Sequence, residues 1–264
     1  MRSSPPLKRS RAPTRTASLS RPHRDERHDE NGPSWVWGTH AALAALANPK
    51  RRIDKVIASR NAALRLPEGI EAHVLDPESM DGMLPPGAVH QGLAVRAWPL
   101  EAVSLLEACA PLDGRTVVVL DGVTDPQNVG AVFRSAAAFG ARAVVMQDRK
   151  SPPFTGALAK AAAGAIELIA HAREANLTRV VEQLGEIGYR TVALEGEAKD
   201  ALGYAVTGDE PIALVIGAEG KGLREVVAAA CSRRARIPIA DNVESLNVSV
   251  AAAIALYEAQ RARR

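Results

Sequence analysis

From residue 115 to the C-terminus, apolar runs of strand length alternate with stretches whose apolar residues recur at helical spacing. The strand-like runs occupy 116–120, 143–146, 166–169, 191–194, 212–216 and 236–239. Helix-like stretches occupy 128–139, 155–163, 176–187 and 223–230, and a last one runs from about 246 to 261. A strand that is apolar at nearly every position has both faces covered, and strands separated by helices are joined by crossovers. This part of the chain therefore predicts an α/β fold around a parallel sheet. Such sheets take ligands outside the carboxyl ends of their strands, so the loops that follow the strands are where chemistry is expected.

The preceding residues read differently. Residues 39–47, THAALAALA, predict a short helix closed by Asn48-Pro49, and 55–59, 72–75 and 93–98 predict short strands. They make a small α/β domain over 35–110, whose last stretch, 101–110, is helix-like. The turn cluster Pro111-Leu112-Asp113-Gly114 separates it from a second domain over 111–264. Residues 1–34 are expected to form a disordered basic tail. They hold eight basic residues against four acidic ones, while the other 230 residues hold 25 against 26, so the net charge of +3 belongs to the tail. Such an arm suits phosphate contacts, or serves only as a solubilising extension.

Composition narrows the function classes. With 47% hydrophobic residues the chain can bury a core. No stretch is long and apolar enough to span a bilayer, so no membrane partner is expected. Cys109 and Cys231 stand far apart without a metal-ligand motif, and the six histidines are dispersed, so neither a disulfide scaffold nor a metal site is expected. The tail lacks a secretory hydrophobic core. It is rich in Arg and Ser as transit peptides are, but Pro5, Pro6, Pro13 and Pro22 interrupt any amphipathic period. The cytoplasm is the expected location, organellar targeting the alternative.

Three loops carry the signal. After 116–120 comes DGVTDPQNVGAVFRSAAAFG, in which Val129, Val132, Phe133, Ala136 and Phe139 form one apolar helix stripe. Arg134 falls opposite that stripe, as a solvated arginine would, and Asn128 is suited to cap the helix. After 212–216 comes Gly217-Ala218-Glu219-Gly220-Lys221-Gly222. It matches neither a Walker loop nor a dinucleotide fingerprint, and Glu219 would repel a phosphate. A tight turn without a ligand remains open for it. After 236–239 comes DNVESLNV, where Ser245 is suited to cap the last helix; Asn247 is a poor helix former in a first turn. No Gly-x-Ser-x-Gly elbow is present. Four polar residues, Asn128, Glu219, Ser245 and Asn247, are thus expected at one end of the sheet, an arrangement suited to a transferase that positions an activated donor.

The segments LDGVTDPQNVGAVFRSA, VIGAEGKGL and IPIADNVESLNVSVAAAIALYE, in this order across about 115–260, resemble the three motifs of the SpoU/TrmH RNA 2′-O-ribose methyltransferases of the SPOUT superfamily. VWGTHAALAAL through HQGLAV resembles the amino-terminal RNA-binding domain of the family's ribosomal-RNA branch. The resemblance implies a parallel sheet with a C-terminal trefoil knot plus a small N-terminal α/β RNA-binding domain, and a homodimer. It implies S-adenosylmethionine as methyl donor without a metal. The implied substrate is a ribose 2′-hydroxyl of 23S rRNA, free or in the pre-ribosomal large subunit, at a guanosine of the peptidyl-transferase-region loop. Another rRNA nucleoside, a tRNA ribose, or a non-catalytic role in ribosome assembly are the alternatives.

By the same resemblance Gly217, Ile237 and Leu246 contact the cofactor, Leu194 and Gly196 line its adenine side, and Ile216, Gly220 and Ile239 complete the set. Ile239 stands where the motif often has Met; both are apolar and leave the backbone free. Arg134 is implied to face the RNA, with Asn128, Glu219, Ser245 and Asn247 around it. A guanidinium is always protonated, so orienting a phosphate and stabilising a developing alkoxide suits Arg134 better than acting as a base. The three tryptophans, Trp35, Trp37 and Trp98, suit packing or base contact equally.

Overall fold

The computed structural model describes residues 32–110, 113–154 and 156–263. The basic tail through residue 31 and the turn residues Pro111 and Leu112 lie outside the described residues. In chain order the first elements are β1 (Ser34–Trp37), α1 (Thr39–Ala47), β2 (Ile53–Ala58), α2 (Arg60–Ala63), β3 (His73–Val74), α3 (Pro77–Met83), β4 (Leu93–Ala97) and α4 (Leu105–Cys109). There follow β5 (Val117–Asp121), α5 (Pro126–Ala138), β6 (Ala143–Gln147), α6 (Gly156–Ala162), a 3-10 turn (Ala165–Glu167), β7 (Ala170–Glu174), α7 (Leu177–Glu186) and β8 (Arg190–Leu194). The chain closes with β9 (Asp200–Ala201), α8 (Leu202–Ala205), β10 (Ile212–Gly217), α9 (Glu225–Ala228), β11 (Arg233–Arg236) and α10 (Val248–Arg261).

The four early strands form one sheet in the order β1-β4-β2-β3, and the other seven form a second in the order β7-β6-β5-β10-β8-β11-β9. All pairings in the second sheet are parallel. Its central strands are buried on both faces, because alternate residues enter different cores. Val118, Leu120, Leu214 and Ile216 pack with Phe133, Leu158 and Leu256 from α5, α6 and α10. Val117, Val119, Ala213 and Val215 pack with Val180, Leu184 and Val227 from α7 and α9. The chain steps outward from β5 to β6 and β7, then returns to β8, and β10 fills the gap between β5 and β8. The reversal sets the carboxyl ends of β5 and β10 side by side, the kind of crevice at which a doubly covered parallel sheet takes its ligand.

Glycine sets two close approaches. A Cβ on Gly130 of α5 would meet Ala161 Cβ at 2.6 Å and the Leu158 carbonyl oxygen at 2.7 Å, so α5 and α6 cross nearly in backbone contact. A Cβ on Gly156 would stand 1.9 Å from the Trp37 ring, which seats β1 on α6. The same junction holds a buried ion pair, Arg51 Nε to Glu167 Oε1 at 3.6 Å, and Asn48 Nδ2 donates to Glu167 Oε2 at 2.8 Å. Burial lowers the Arg51 pKa and raises that of Glu167, each partly opposed by the charge of the other. Trp35 and Trp37 pack against the core of the four-stranded sheet, and Arg52 lies 4.0 Å over the Trp98 ring.

Two expected strands are displaced. Residues 166–169 form the 3-10 turn and its exit, and the strand starts only at Ala170. Gly164, at φ +91°, turns the chain so that Ile166 and Ile169 both enter the core from a short helical turn. A brief apolar run carries too little periodicity to separate the two states. The last strand is Arg233–Arg236 rather than 236–239, since Pro238 has no amide to donate to a ladder. The first strand, Ser34–Trp37, begins inside the segment expected to be tail.

Candidate active site

The first wall of the crevice is the start of α5. Asp125 caps this helix, accepting from the backbone amides of Gln127 and Asn128, each at 3.2 Å, and Pro126 occupies the first turn, where its missing amide costs nothing. Asn128 is therefore not the cap, contrary to the sequence expectation, and its side chain is free to reach across the crevice.

It reaches Asn247, which caps α10 in place of the expected Ser245. Asn247 Oδ1 accepts from the amides of Ser249 at 2.9 Å and Val250 at 3.4 Å and from the Ser249 hydroxyl at 2.6 Å. Those donors fix the orientation of the amide, because only its oxygen can accept them. Its nitrogen then faces outward and donates to Asn128 Oδ1 at 3.0 Å and Glu219 Oε2 at 3.4 Å. One side chain thus ties together the segment after β5, the glycine-rich loop after β10 and the start of α10. Glu219 is thereby held at the residue that caps α10.

The glycine-rich loop folds back on itself. The Gly222 amide donates to the Ala218 carbonyl at 2.8 Å, and Gly220 and Gly222 take left-handed conformations at φ +74° and +64°. A Cβ on Gly217 would lie 2.1 Å from the Gly222 carbonyl carbon and 2.3 Å from the Leu223 amide nitrogen. This position accepts glycine because the loop ends touch, a signal that spacing alone leaves ambiguous. Ile216, just before it, is buried in the core.

The other expected cofactor residues surround the same region. Leu194 and Ile237 are half-buried against the core, Leu246 is half-buried, and Ile239 is exposed on the segment between β11 and α10. A Cβ on Gly196 or Gly220 would meet nothing within 4 Å. An open cleft of about 770 Å³ is lined by Leu194, Gly196, Gly222 and Leu223 together with charged residues, among them Glu195, Asp200, Lys221, Glu225 and Arg234; Gly217, Ile237 and Leu246 lie outside its lining. Half-buried apolar side chains beside open glycine backbone suit a flat heteroaromatic ring whose edge is read by main-chain groups. Among the described residues no cluster of three or more His, Cys, Asp or Glu side chains suited to a metal ion is found, and no helix is long and apolar enough to cross a membrane.

Arg134 and Ser245 are not drawn into the Asn128–Asn247–Glu219 junction. Arg134 is exposed on α5, about 9 Å along the helix axis from Asn128, and makes no hydrogen bond or ion pair among the described residues. Ser245 is exposed, and its side chain makes no hydrogen bond among them. Two residues given no role by the sequence reading do participate. Asp121 ends β5 with its carboxylate buried, and Arg224, just past the glycine loop, binds it. The strand-end position of Asp121 was visible in the sequence; its partner was not.

Asn247→Ala removes the α10 cap and is expected to lower stability by about 1 kcal/mol, read by denaturant unfolding. Asn247→Ser restores a capping oxygen but not the outward amide, so it should regain most of that stability while the three segments stay unlinked. Equal stability of wild type and the alanine variant would contradict the cap.

Residues 115–257 match the SpoU rRNA Methylase family. The chain is 36% identical over 243 residues to the Vibrio cholerae 23S rRNA (guanosine-2′-O-)-methyltransferase RlmB, a match covering 86% of this chain and 96% of that protein. It is 36% identical to the Escherichia coli protein of the same name over 240 residues, covering 86% and 98% of the two chains. The crystal structure of an AdoMet-bound rRNA methyltransferase from Sinorhizobium meliloti superposes with a TM-score of 0.73 at 26% identity, covering 88% of each chain.

Proposed function

Because this chain belongs to the SpoU rRNA methylase family, we propose that it transfers a methyl group from S-adenosylmethionine to a ribose 2′-hydroxyl of 23S rRNA, at a guanosine of the peptidyl-transferase-region loop. The observation that carries the reading is the Asn128–Asn247–Glu219 junction, which gathers three segments at one rim of the parallel sheet.

The residues present fit the donor. Gly217 and Gly220 offer backbone rather than side chain, Leu194, Ile237 and Leu246 offer half-buried apolar surface, and Gly196 leaves space. Ile216 and Ile239 complete the set at the strand end and the following segment. When bound, S-adenosylmethionine supplies a methyl on a sulfonium whose positive charge disappears as the methyl leaves. The chain's own task is then placement: holding the ribose oxygen in line while excluding competing water. Arg134, permanently charged and without a hydrogen bond or ion pair among the described residues, orients an RNA phosphate and stabilises negative charge growing on the 2′-oxygen. Asn128, Glu219 and Asn247 hold the surrounding segments, and Ser245, exposed two residues before Asn247, is proposed to meet the ribose when RNA is bound.

The remaining parts of the reading follow the same logic. The segment between β11 and α10 is proposed to pass through the trefoil knot of the SPOUT fold. Residues 35–110 are proposed as the RNA-binding domain; a groove of about 580 Å³ supports this, since Asn61 and Arg65 in its otherwise largely apolar lining can meet 2′-hydroxyls and phosphate, while Asp81 also lines it, beside His90. Val250, Ile254 and Tyr257 recur at i, i+4 and i+7 on α10, and all three are exposed, which supports a homodimer through this stripe. Tyr257→Asp with Ile254→Glu is expected to halve the mass measured by light scattering; an unchanged mass would remove α10 from the interface. The cytoplasm is proposed as the location, with organellar targeting as the alternative; a ribosomal-RNA substrate suits the first.

Mass mapping of ribose methylation in rRNA from cells with and without this protein tests the function. The expected result is the loss of one 2′-O-methylguanosine from 23S rRNA. Unchanged rRNA with a lost tRNA methyl, or with no lost methyl at all, would overturn the assignment.

A further inference from the structure

Both ends of the glycine-rich loop meet at Asp121, one against its strand and the other at its carboxylate. Asp121, the last residue of β5, stands in register with Gly217, the last residue of β10, so it lies where the loop departs. The loop returns to the same group. Asp121 Oδ2 accepts from the Arg224 backbone amide at 3.1 Å, Arg224 Nε donates to the two carboxylate oxygens at 2.8 and 3.1 Å, and Arg224 Nη2 lies 2.8 Å from Oδ1. The Asp121 side chain is 1% exposed and that of Arg224 is 44% exposed. A buried carboxylate persists where its charge is paired and its oxygens are occupied, and a guanidinium fork supplies both at once. The close contact of Gly217 with Gly222 and Leu223 shows the same closure from the other side.

We infer that Asp121 and Arg224 are positioning residues for methyl transfer, acting through the loop rather than on the reacting atoms. Their bonds set the place at which the loop leaves and rejoins the sheet, and hence where Gly217 and Gly220 present backbone and where Glu219 meets Asn247. The inference rests on the methyltransferase reading above. It adds a coupling between a residue at the end of β5 and cofactor affinity at a distant loop, carried by Arg224, 103 positions downstream in the chain.

The test uses the full-length protein with calorimetric titration of S-adenosylmethionine, steady-state transfer kinetics and thermal denaturation. Asp121→Asn and Arg224→Gln are each expected to weaken cofactor binding about tenfold or more, an effect of about 1.4 kcal/mol. The double variant should be little worse than either single one, because both break the same link. Arg224→Lys should recover part of the affinity, since it keeps the charge without the fork. The KM for RNA should stay near that of wild type while kcat falls. Variants that melt earlier yet bind cofactor and turn over as wild type does would reduce the pair to a structural role and overturn the inference. Wild-type protein that takes up no S-adenosylmethionine would instead overturn the methyltransferase reading beneath it.

Discussion

Arg134→Ala is expected to lower methyl transfer roughly a hundred- to a thousandfold, the usual cost of removing one preorganised donor from a developing oxyanion. The fold should be unaffected. Arg134 is exposed on α5 and holds no partner among the described residues, so its removal leaves no buried group unpaired. Melting temperature and cofactor affinity should therefore match wild type, and the loss should fall on kcat and on the KM for RNA. Arg134→Lys should recover only part of the rate, because an ammonium keeps the charge but not the planar fork that reads a phosphate. Turnover of the alanine variant near the wild-type rate, measured with S-adenosylmethionine and undermodified rRNA, would remove Arg134 from the chemistry.

The second large effect is expected at Gly217. The added methyl of Gly217→Ala would stand 2.1 Å from the Gly222 carbonyl carbon and 2.3 Å from both its oxygen and the Leu223 nitrogen. Those atoms are backbone, so the loop itself must move, and overpacking of this kind costs about 1–3 kcal/mol. A displaced loop carries Gly220 and Glu219 with it, and the link from Glu219 to Asn247, already 3.4 Å long, should be the first to part. Cofactor affinity measured by titration should fall at least about a hundredfold, with a lower melting temperature. Gly196→Ala is the matching control, since a Cβ there meets nothing within 4 Å. Its stability should be unchanged, so any loss of affinity reports contact with the cofactor alone. A Gly217→Ala protein that binds cofactor as tightly as wild type would contradict the closed loop.

Much of this architecture was legible in the residues. The nearly unbroken apolar runs at 116–120 and 212–216 read as buried parallel strands because their apolar residues enter a core on alternate sides, and the structure has β5 and β10 there. The loops after them carry Asn128 and Glu219, as the reading expected, and these meet through Asn247. What was not legible depended on distance in space. Periodicity says nothing of the order in which strands lie, so the insertion of β10 between β5 and β8 was out of reach, and with it the pairing of Asp121 with Gly217. The caps were misassigned for a local reason: Asp125, Asn128, Ser245 and Asn247 are all good capping residues. The choice among them was settled by where each helix meets its neighbours. Arg134 reads as a solvated helix residue by periodicity and is exposed in the structure, so the role proposed for it rests on motif resemblance alone.

The most direct measurement is transfer by the purified protein from S-adenosylmethionine labelled in its methyl group to 23S rRNA lacking its ribose methyls, followed by nuclease digestion to identify the labelled nucleoside. The expected product is 2′-O-methylguanosine at a single site, formed in proportion to enzyme and lost with Arg134→Ala. Label on a base, label only on tRNA, or cofactor uptake with no label on RNA would contradict a ribose methyltransferase of the large-subunit RNA.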